Sequence, residues 1–269
     1  MCRLYGFRAT EPTKVECTLV HAQNALIVQS QSDLTGLSHS HGWGVATFED
    51  HVPQIERQAW AAYHGEHFRR AAARIYSETV VAHVRRATVG EPSLANTHPF
   101  SDGPWVLVHN GTVPNFEEVK HLMLGSIAPS RRAYIQGTTD SEHVFQFLRT
   151  LQEEEPDRPL LNTLRVGIDR IIGWCQKVDQ SAKVGLNLIY TDGTRMVGSR
   201  VGRSLYYVER DGIKDCQICG FPHVHHDPHR SYQAVVVASE PISDESWTEV
   251  PEKSVYEVSA NQKIEIQSL

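Results

Sequence analysis

Strand-length apolar runs fill the second half of the chain, and they restrict the fold more than any other feature. Residues 184–190 and 195–200 flank Thr191-Asp192-Gly193-Thr194, a turn of the kind that closes a hairpin. Further runs at 204–208, 233–239, 255–259 and 263–266 continue the pattern. The first half mixes periods, with strands expected at 2–9, 43–48, 79–85 and 105–109. Helices are expected at 15–28 and at 67–75, where Phe68, Ala71, Ala72 and Ile75 share a face, and again at 159–178, where Leu160, Leu164, Ile168, Ile171 and Cys175 recur at helical spacing. Thr139-Asp140-Ser141-Glu142 reads as a capping box before the apolar stripe Val144, Phe145, Leu148. Strands and helices come in blocks, without strict βαβ alternation, which predicts an α+β fold with antiparallel sheets. There is no repeat and no Gly/Ser linker; 90–104, 125–137 and 220–231 read as loops within one domain spanning 1–269.

The charge balance excludes some partners. With 32 acidic and 26 basic residues the chain carries a formal charge of −6, without the basic stripe expected for nucleic-acid binding. No run reaches the roughly 18 to 20 apolar residues that span a membrane. The start, Met1-Cys2-Arg3-Leu4-Tyr5-Gly6, has an arginine where a secretory signal would become apolar. Five scattered cysteines do not form a disulfide framework, so a reduced, cytoplasmic location is expected.

Cys2 is chemically distinctive. Removal of Met1 would leave a thiol and a free α-amine on one residue. A thiol attacks as thiolate, with a free pKa of about 8.5, while an α-amine of pKa roughly 7.7 to 8.0 can serve as the general base. The competing reading makes Cys2 an incidental small hydrophobe.

Three later segments narrow the choice: His83-Val84-Arg85-Arg86-Ala87-Thr88-Val89-Gly90, Val108-His109-Asn110-Gly111-Thr112-Val113 and Gly137-Thr138-Thr139-Asp140-Ser141-Glu142. Together with Met1-Cys2 they resemble the class II glutamine amidotransferases. Ser40-His41-Gly42-Trp43-Gly44-Val45-Ala46 and Ala238-Ser239-Glu240-Pro241 are similar to further stretches of the family's stand-alone branch, which includes γ-glutamyl hydrolases of thiol and ergothioneine metabolism. The resemblance covers nearly the whole chain in matching order.

It implies the four-layer αββα sandwich of N-terminal-nucleophile hydrolases, with two antiparallel sheets between helical layers. It also implies an enzyme that cleaves the side-chain amide of glutamine or a γ-glutamyl compound through a thioester on Cys2, releasing ammonia or an amine, with no cofactor required. Asn110 (side-chain amide) and Gly111 (backbone N–H) occupy the oxyanion-hole positions. Arg85 and Thr88 fall where the family binds the substrate carboxylate, and Asp140 where it binds the substrate ammonium. Gly111 is expected to keep a side chain out of the substrate's way. Taken singly, these residues also read as surface arginines, a turn and a helix cap.

Arg86 stands where many members have an aromatic residue, and Val89 where sugar-synthesising members have histidine, which leaves the substrate open. The glutaminase resemblance takes up almost all of the sequence, with no room for an acceptor domain. The chain is then either a stand-alone γ-glutamyl hydrolase or the glutaminase subunit of a separate synthase. A third reading is a non-catalytic module that binds glutamine-like ligands.

Cys216-Gln217-Ile218-Cys219, followed by His223, His225, His226 and His229, offers a second site. Cys216, Cys219, His223 and His225 are candidate ligands for a structural zinc; the alternative is a histidine-rich exposed loop. Cys17 and Cys175 read as core residues.

Overall fold

A computed structural model describes all residues except Met1, His226, Pro228 and Arg230. In chain order the strands are β1 (Arg3–Lys14), β2 (Trp43–Glu49), β3 (Val52–Gln58), β4 (Tyr76–Val84), β5 (Phe100–Asp102), β6 (Trp105–Thr112), β7 (Gly185–Thr191), β8 (Met196–Arg200), β9 (Tyr206–Asp211), β10 (Gln233–Ala238), β11 (Thr248–Glu249), β12 (Ser254–Val258) and β13 (Ile264–Ser268). The α-helices are α1 (Leu26–Gln31), α2 (His67–Arg74), α3 (Phe116–Ser126), α4 (Pro129–Arg132), α5 (Asp140–Glu154) and α6 (Leu160–Val178).

The strands form a seven-stranded sheet, ordered β11-β9-β10-β1-β4-β2-β3, and a six-stranded sheet, ordered β13-β12-β8-β7-β6-β5. The pairings are antiparallel, as the hairpin signals required. Strand alternation builds the layers. In β10, Val235 and Val237 point between the sheets, while Ala234, Val236 and Ala238 face the helices on the outer side. In β6, Val106 and Val108 face inward, and Trp105 and Leu107 pack toward α3, α5 and α6. Because both faces of these strands are buried, they read as continuous apolar runs. Gly6 sits where the two sheets pack closely: a Cβ there would lie 2.6 Å from Ile189 Cδ1. The result is the four-layer αββα sandwich.

The helices depart from expectation in places: α3 was not foreseen, α4 lies in the stretch 125–137 read as a loop, and the helix expected over 15–28 is broken. The apolar spacing over 15–28 suggested a single helix, but the chain forms a π-helical turn at Cys17–His21, breaks, and restarts as α1. The break is held by Asn24, whose side-chain amide donates to the Pro241 carbonyl at 2.7 Å. Buried residues on two separate turns had mimicked one continuous face. The capping box is half formed. Thr139 accepts from the Glu142 amide, but the Glu142 carboxylate accepts from the Gln136 and Gly137 amides instead of reaching back to Thr139. Among the described residues no helix is long and apolar enough to cross a membrane.

Candidate active site

Cys2 lies at the head of β1, the strand paired with both β4 and β10 at the middle of its sheet. Register fixes its neighbours: Arg3 pairs with Val84, which brings Cys2 alongside Arg85. The buried Cys2 thiol contacts the Arg86 carbonyl at 3.5 Å. Burial pushes this thiol above its ordinary pKa, and the Arg85 charge pulls the other way. A thiol held up by burial needs a base to become a nucleophile.

Arg85 is buried, and its guanidinium donates to the carbonyls of Val89, Gly90 and Glu91 at 2.9, 2.8 and 3.2 Å. It therefore folds the loop after β4 around itself while its charge acts on Cys2 and Asp140. His41 supports the same loop by accepting from the Ala87 amide at 2.9 Å. Burial, with the charges of Arg85 and Arg86, holds His41 below its usual pKa and favours the neutral ring that can accept. Thr88 is exposed and meets Thr112, beside Gly111, at 3.3 Å.

Asp140 opens α5, where a carboxylate suits the positive end of the helix dipole. Its Oδ2 accepts from the Val113 amide at 2.8 Å and its Oδ1 from the Ser141 amide at 2.8 Å. Asp140 thereby ties the end of β6 to the start of α5. The Ser141 hydroxyl in turn meets His109 Nδ1 at 2.8 Å.

Asn110 sits on β6 and donates from Nδ2 to the Ser239 hydroxyl at 3.1 Å, while its buried Oδ1 has no partner. Ser239 also accepts from the Leu4 amide at 3.0 Å, so one hydroxyl joins the nucleophile's strand to Asn110. Packing supplies a second reason for glycine at 111. A Cβ there would lie 2.0 Å from the Gly185 carbonyl oxygen, so close packing of β6 on β7 excludes a side chain.

The sequence reading missed a buried charge network. Arg3 donates to Glu240 at 2.6 Å, to Asp33 at 2.7 Å and to the Cys2 carbonyl at 3.0 Å. Asp33 also meets His39 at 3.0 Å. Burial works to raise Asp33, but hydrogen bonds from Thr35 and Leu37 and the Arg3 charge prevail and hold it well below the carboxylate range. Burial and the Arg3 charge push His39 down to about 4. The available signal was Arg3 itself, a charged residue directly ahead of the apolar Leu4, Tyr5 and Phe7, since a buried charge needs partners.

A family model for class II glutamine amidotransferases matches residues 1–266. The chain belongs to the class II glutamine amidotransferases. It is 29% identical to the probable glutamine amidotransferase DUG3 of Saccharomyces cerevisiae, over 95% of this chain and 81% of the relative. It is 28% identical to a γ-glutamyl-hercynylcysteine sulfoxide hydrolase of Mycobacterium tuberculosis, over 96% of this chain and 93% of the relative. A class II glutamine aminotransferase domain protein from Silicibacter pomeroyi superposes with a TM-score of 0.66 at 20% identity, covering 100% of this chain and 99% of that one. Glutamine PRPP amidotransferase of Bacillus subtilis shares the fold at a TM-score of 0.63 and 16% identity, with 99% of this chain and 49% of that one covered. This class II glutamine amidotransferase is an amide-cleaving enzyme, and the non-catalytic reading is not favoured.

The cysteine and histidine cluster differs from expectation. Cys17 is buried as expected, but its sulfur joins Cys216, Cys219 and His223, with all four ligand atoms within 4.8 Å of one another. His225 is not in the group. Its ring lies 5.7 Å from that of Tyr76, whose hydroxyl accepts from the His225 amide at 3.3 Å. His229 is outside the group as well, and His226 lies outside the described residues.

Proposed function

We propose that this chain is a stand-alone γ-glutamyl hydrolase, comprising one amidotransferase domain over 1–269, that cleaves the γ-amide of a conjugate whose amine is larger than ammonia. The observation that carries the reading is the placement of Cys2 at the head of the central strand, beside Arg85 and within reach of the charge of Asp140. Near-full-length similarity to a relative named as a γ-glutamyl hydrolase supports this substrate class over free glutamine.

In this reading Met1 is removed, and Arg85, with Thr88, receives the substrate α-carboxylate while Asp140 receives the α-ammonium. Both Nη2 N–H groups and one Nη1 N–H of Arg85 serve the loop, leaving Nε–H and the second Nη1–H on opposite edges of the guanidinium, so the carboxylate takes one of them together with the full positive charge. The α-amine of Cys2 takes the thiol proton as sulfur bonds to the amide carbon. It then delivers that proton to the leaving nitrogen as the C–N bond breaks. Water attacks the γ-glutamyl thioester, again giving its proton to the amine. Cleavage of the C–S bond frees glutamate, and the proton returns to the sulfur. No step draws on a cofactor.

Asn110 and the Gly111 amide stabilise the tetrahedral oxyanion. Hydrogen-bond accounting supports this role. Among the described residues, Ser239 accepts twice and has no acceptor for its own proton, while Asn110 Oδ1 has no partner. A half-turn of the Asn110 amide lets Ser239 donate to Oδ1 and turns the NH₂ toward the orphan position, free for an oxyanion.

The test supplies the full-length protein with glutamine and with γ-glutamyl conjugates of bulkier amines, reading glutamate and ammonia release. Preferential cleavage of a conjugate, one covalent adduct from a glutamine-mimicking electrophile, and loss of both in Cys2→Ala are expected. Ammonia release from glutamine at least as efficient as conjugate cleavage would favour a glutaminase subunit of a separate synthase. A mature, active protein that retains Met1 would overturn the mechanism.

A further inference from the structure

Asp211 ends β9 and Gln233 begins β10, and the chain between them is longer than the about 12 to 15 residues usual for a structureless loop in a compact domain. Loops of that length generally need a task or a fastening. This one runs back to the far end of β1. The Lys14 amide donates to the His223 carbonyl at 2.8 Å, and Thr13 forms a β-bridge with Val224. These contacts set the loop against Cys17, which opens the turn after β1.

We propose that Cys17, Cys216, Cys219 and His223 bind one zinc ion in a closed, tetrahedral site that fastens this loop to the end of β1. The ligand atoms lie within 4.8 Å of one another, and Cys219 Sγ is 3.2 Å from His223 Nε2. With Zn–S near 2.3 Å and Zn–N near 2.0 Å, tetrahedral edges are about 3.8 Å between sulfurs and about 3.5 Å from sulfur to nitrogen, so only small shifts are needed. The sulfurs are unbonded to one another. The turn is also built to receive a metal. The Ile218 amide points at Cys216 Sγ at 3.4 Å, the hydrogen bond that steadies a metal-bound thiolate. Gly220, at φ +77°, turns the chain so that its amide reaches the Cys216 carbonyl at 2.8 Å.

Three sulfurs and one imidazole nitrogen match zinc's preferences, and four protein ligands leave no open position for substrate, so the role is structural. Position agrees. Cys2 and the cluster lie beyond opposite ends of β1, roughly 35 Å apart at strand rise. The site therefore stands apart from amide cleavage, whichever substrate that reaction takes.

The test is metal analysis of full-length protein purified under reducing conditions, together with cobalt(II) titration of the metal-free form. About one zinc per chain is expected, with the visible bands of tetrahedral thiolate-bound cobalt. Cys219→Ser and His223→Ala should lose the metal, while His225→Ala and Cys175→Ser should keep it. A chelator should lower the melting temperature of the wild type but not of Cys219→Ser. Should the ligand variants fold poorly, the wild-type cobalt spectrum still decides. Octahedral cobalt, sub-stoichiometric zinc, a Cys216–Cys219 disulfide in reduced protein, or full zinc retention in the Cys219 and His223 variants would each overturn the proposal.

Discussion

Arg3 and Glu240 form a buried ion pair, with guanidinium nitrogens 2.6 and 3.0 Å from one carboxylate oxygen. The pair joins the start of β1 to the segment just after β10, and the same guanidinium holds the Cys2 carbonyl. Removing one partner strands a charge in the interior. Glu240→Ala is expected to cost about 3 kcal/mol in chemical denaturation. A loss below about 1 kcal/mol would mean that Asp33 alone satisfies Arg3.

Asn110→Ala should lower kcat by about 10² to 10³ with KM little changed, because the lost donor acts on charge that develops after substrate binding. Ser239 touches only Asn110 and Leu4 among these groups, so it positions without reacting. Ser239→Ala should therefore lower kcat by about tenfold, and steady-state kinetics on the best conjugate will separate the two. Equal KM and kcat in Asn110→Ala and wild type would remove Asn110 from the mechanism.

Gly111→Ala tests the packing account. The added methyl would meet the backbone of Gly185, which cannot swing aside like a side chain. A loss of about 3 kcal/mol is expected, seen as a melting temperature lower by roughly 5 °C or more. Gly125→Ala is the control: nothing lies within 4 Å of its Cβ, and its site in α3 favours alanine. Equal melting of the two variants would refute the clash.

Buried histidines set the acid limit. Burial pushes His83 down to about 3, while His39 sits at about 4 for burial and the Arg3 charge. The unfolded chain protonates both near pH 6.5, so between that pH and the native values it binds more protons than the folded protein. Stability is therefore complete above about pH 6.5 and falls on acidification, by up to about 1.4 kcal/mol per pH unit for each histidine. Denaturation series from pH 7.5 to 5 should show this slope, and His83→Gln should reduce it. A flat profile would show that these rings do not resist protonation.

Much of the sandwich was legible because strands buried on both faces leave continuous apolar runs such as Leu186 to Tyr190. The candidate site residues Cys2, Arg85, Asn110 and Asp140 could be singled out because each lies in a short local segment, and the sheets bring those segments together. The Arg3, Asp33, His39 and Glu240 network was not, since its members are ordinary polar residues until the sheets bring them together. The packing reason for Gly111 was not legible, because the obstructing carbonyl of Gly185 belongs to a strand far along the chain. Of the four candidate ligands, Cys216, Cys219 and His223 come together because they are near in sequence, His225 does not join them, and Cys17 joins only through the fold.

Strand β1 is laced on both edges, to β4 and to β10. The sulfur at its head cannot move toward a differently shaped substrate unless two ladders slip together, which would turn every alternating side chain to the wrong face. A change in the amine this chain accepts is therefore expected from substitutions in the segments beyond the strand ends, around 86–99 and 136–139, and not from movement of the Cys2 sulfur.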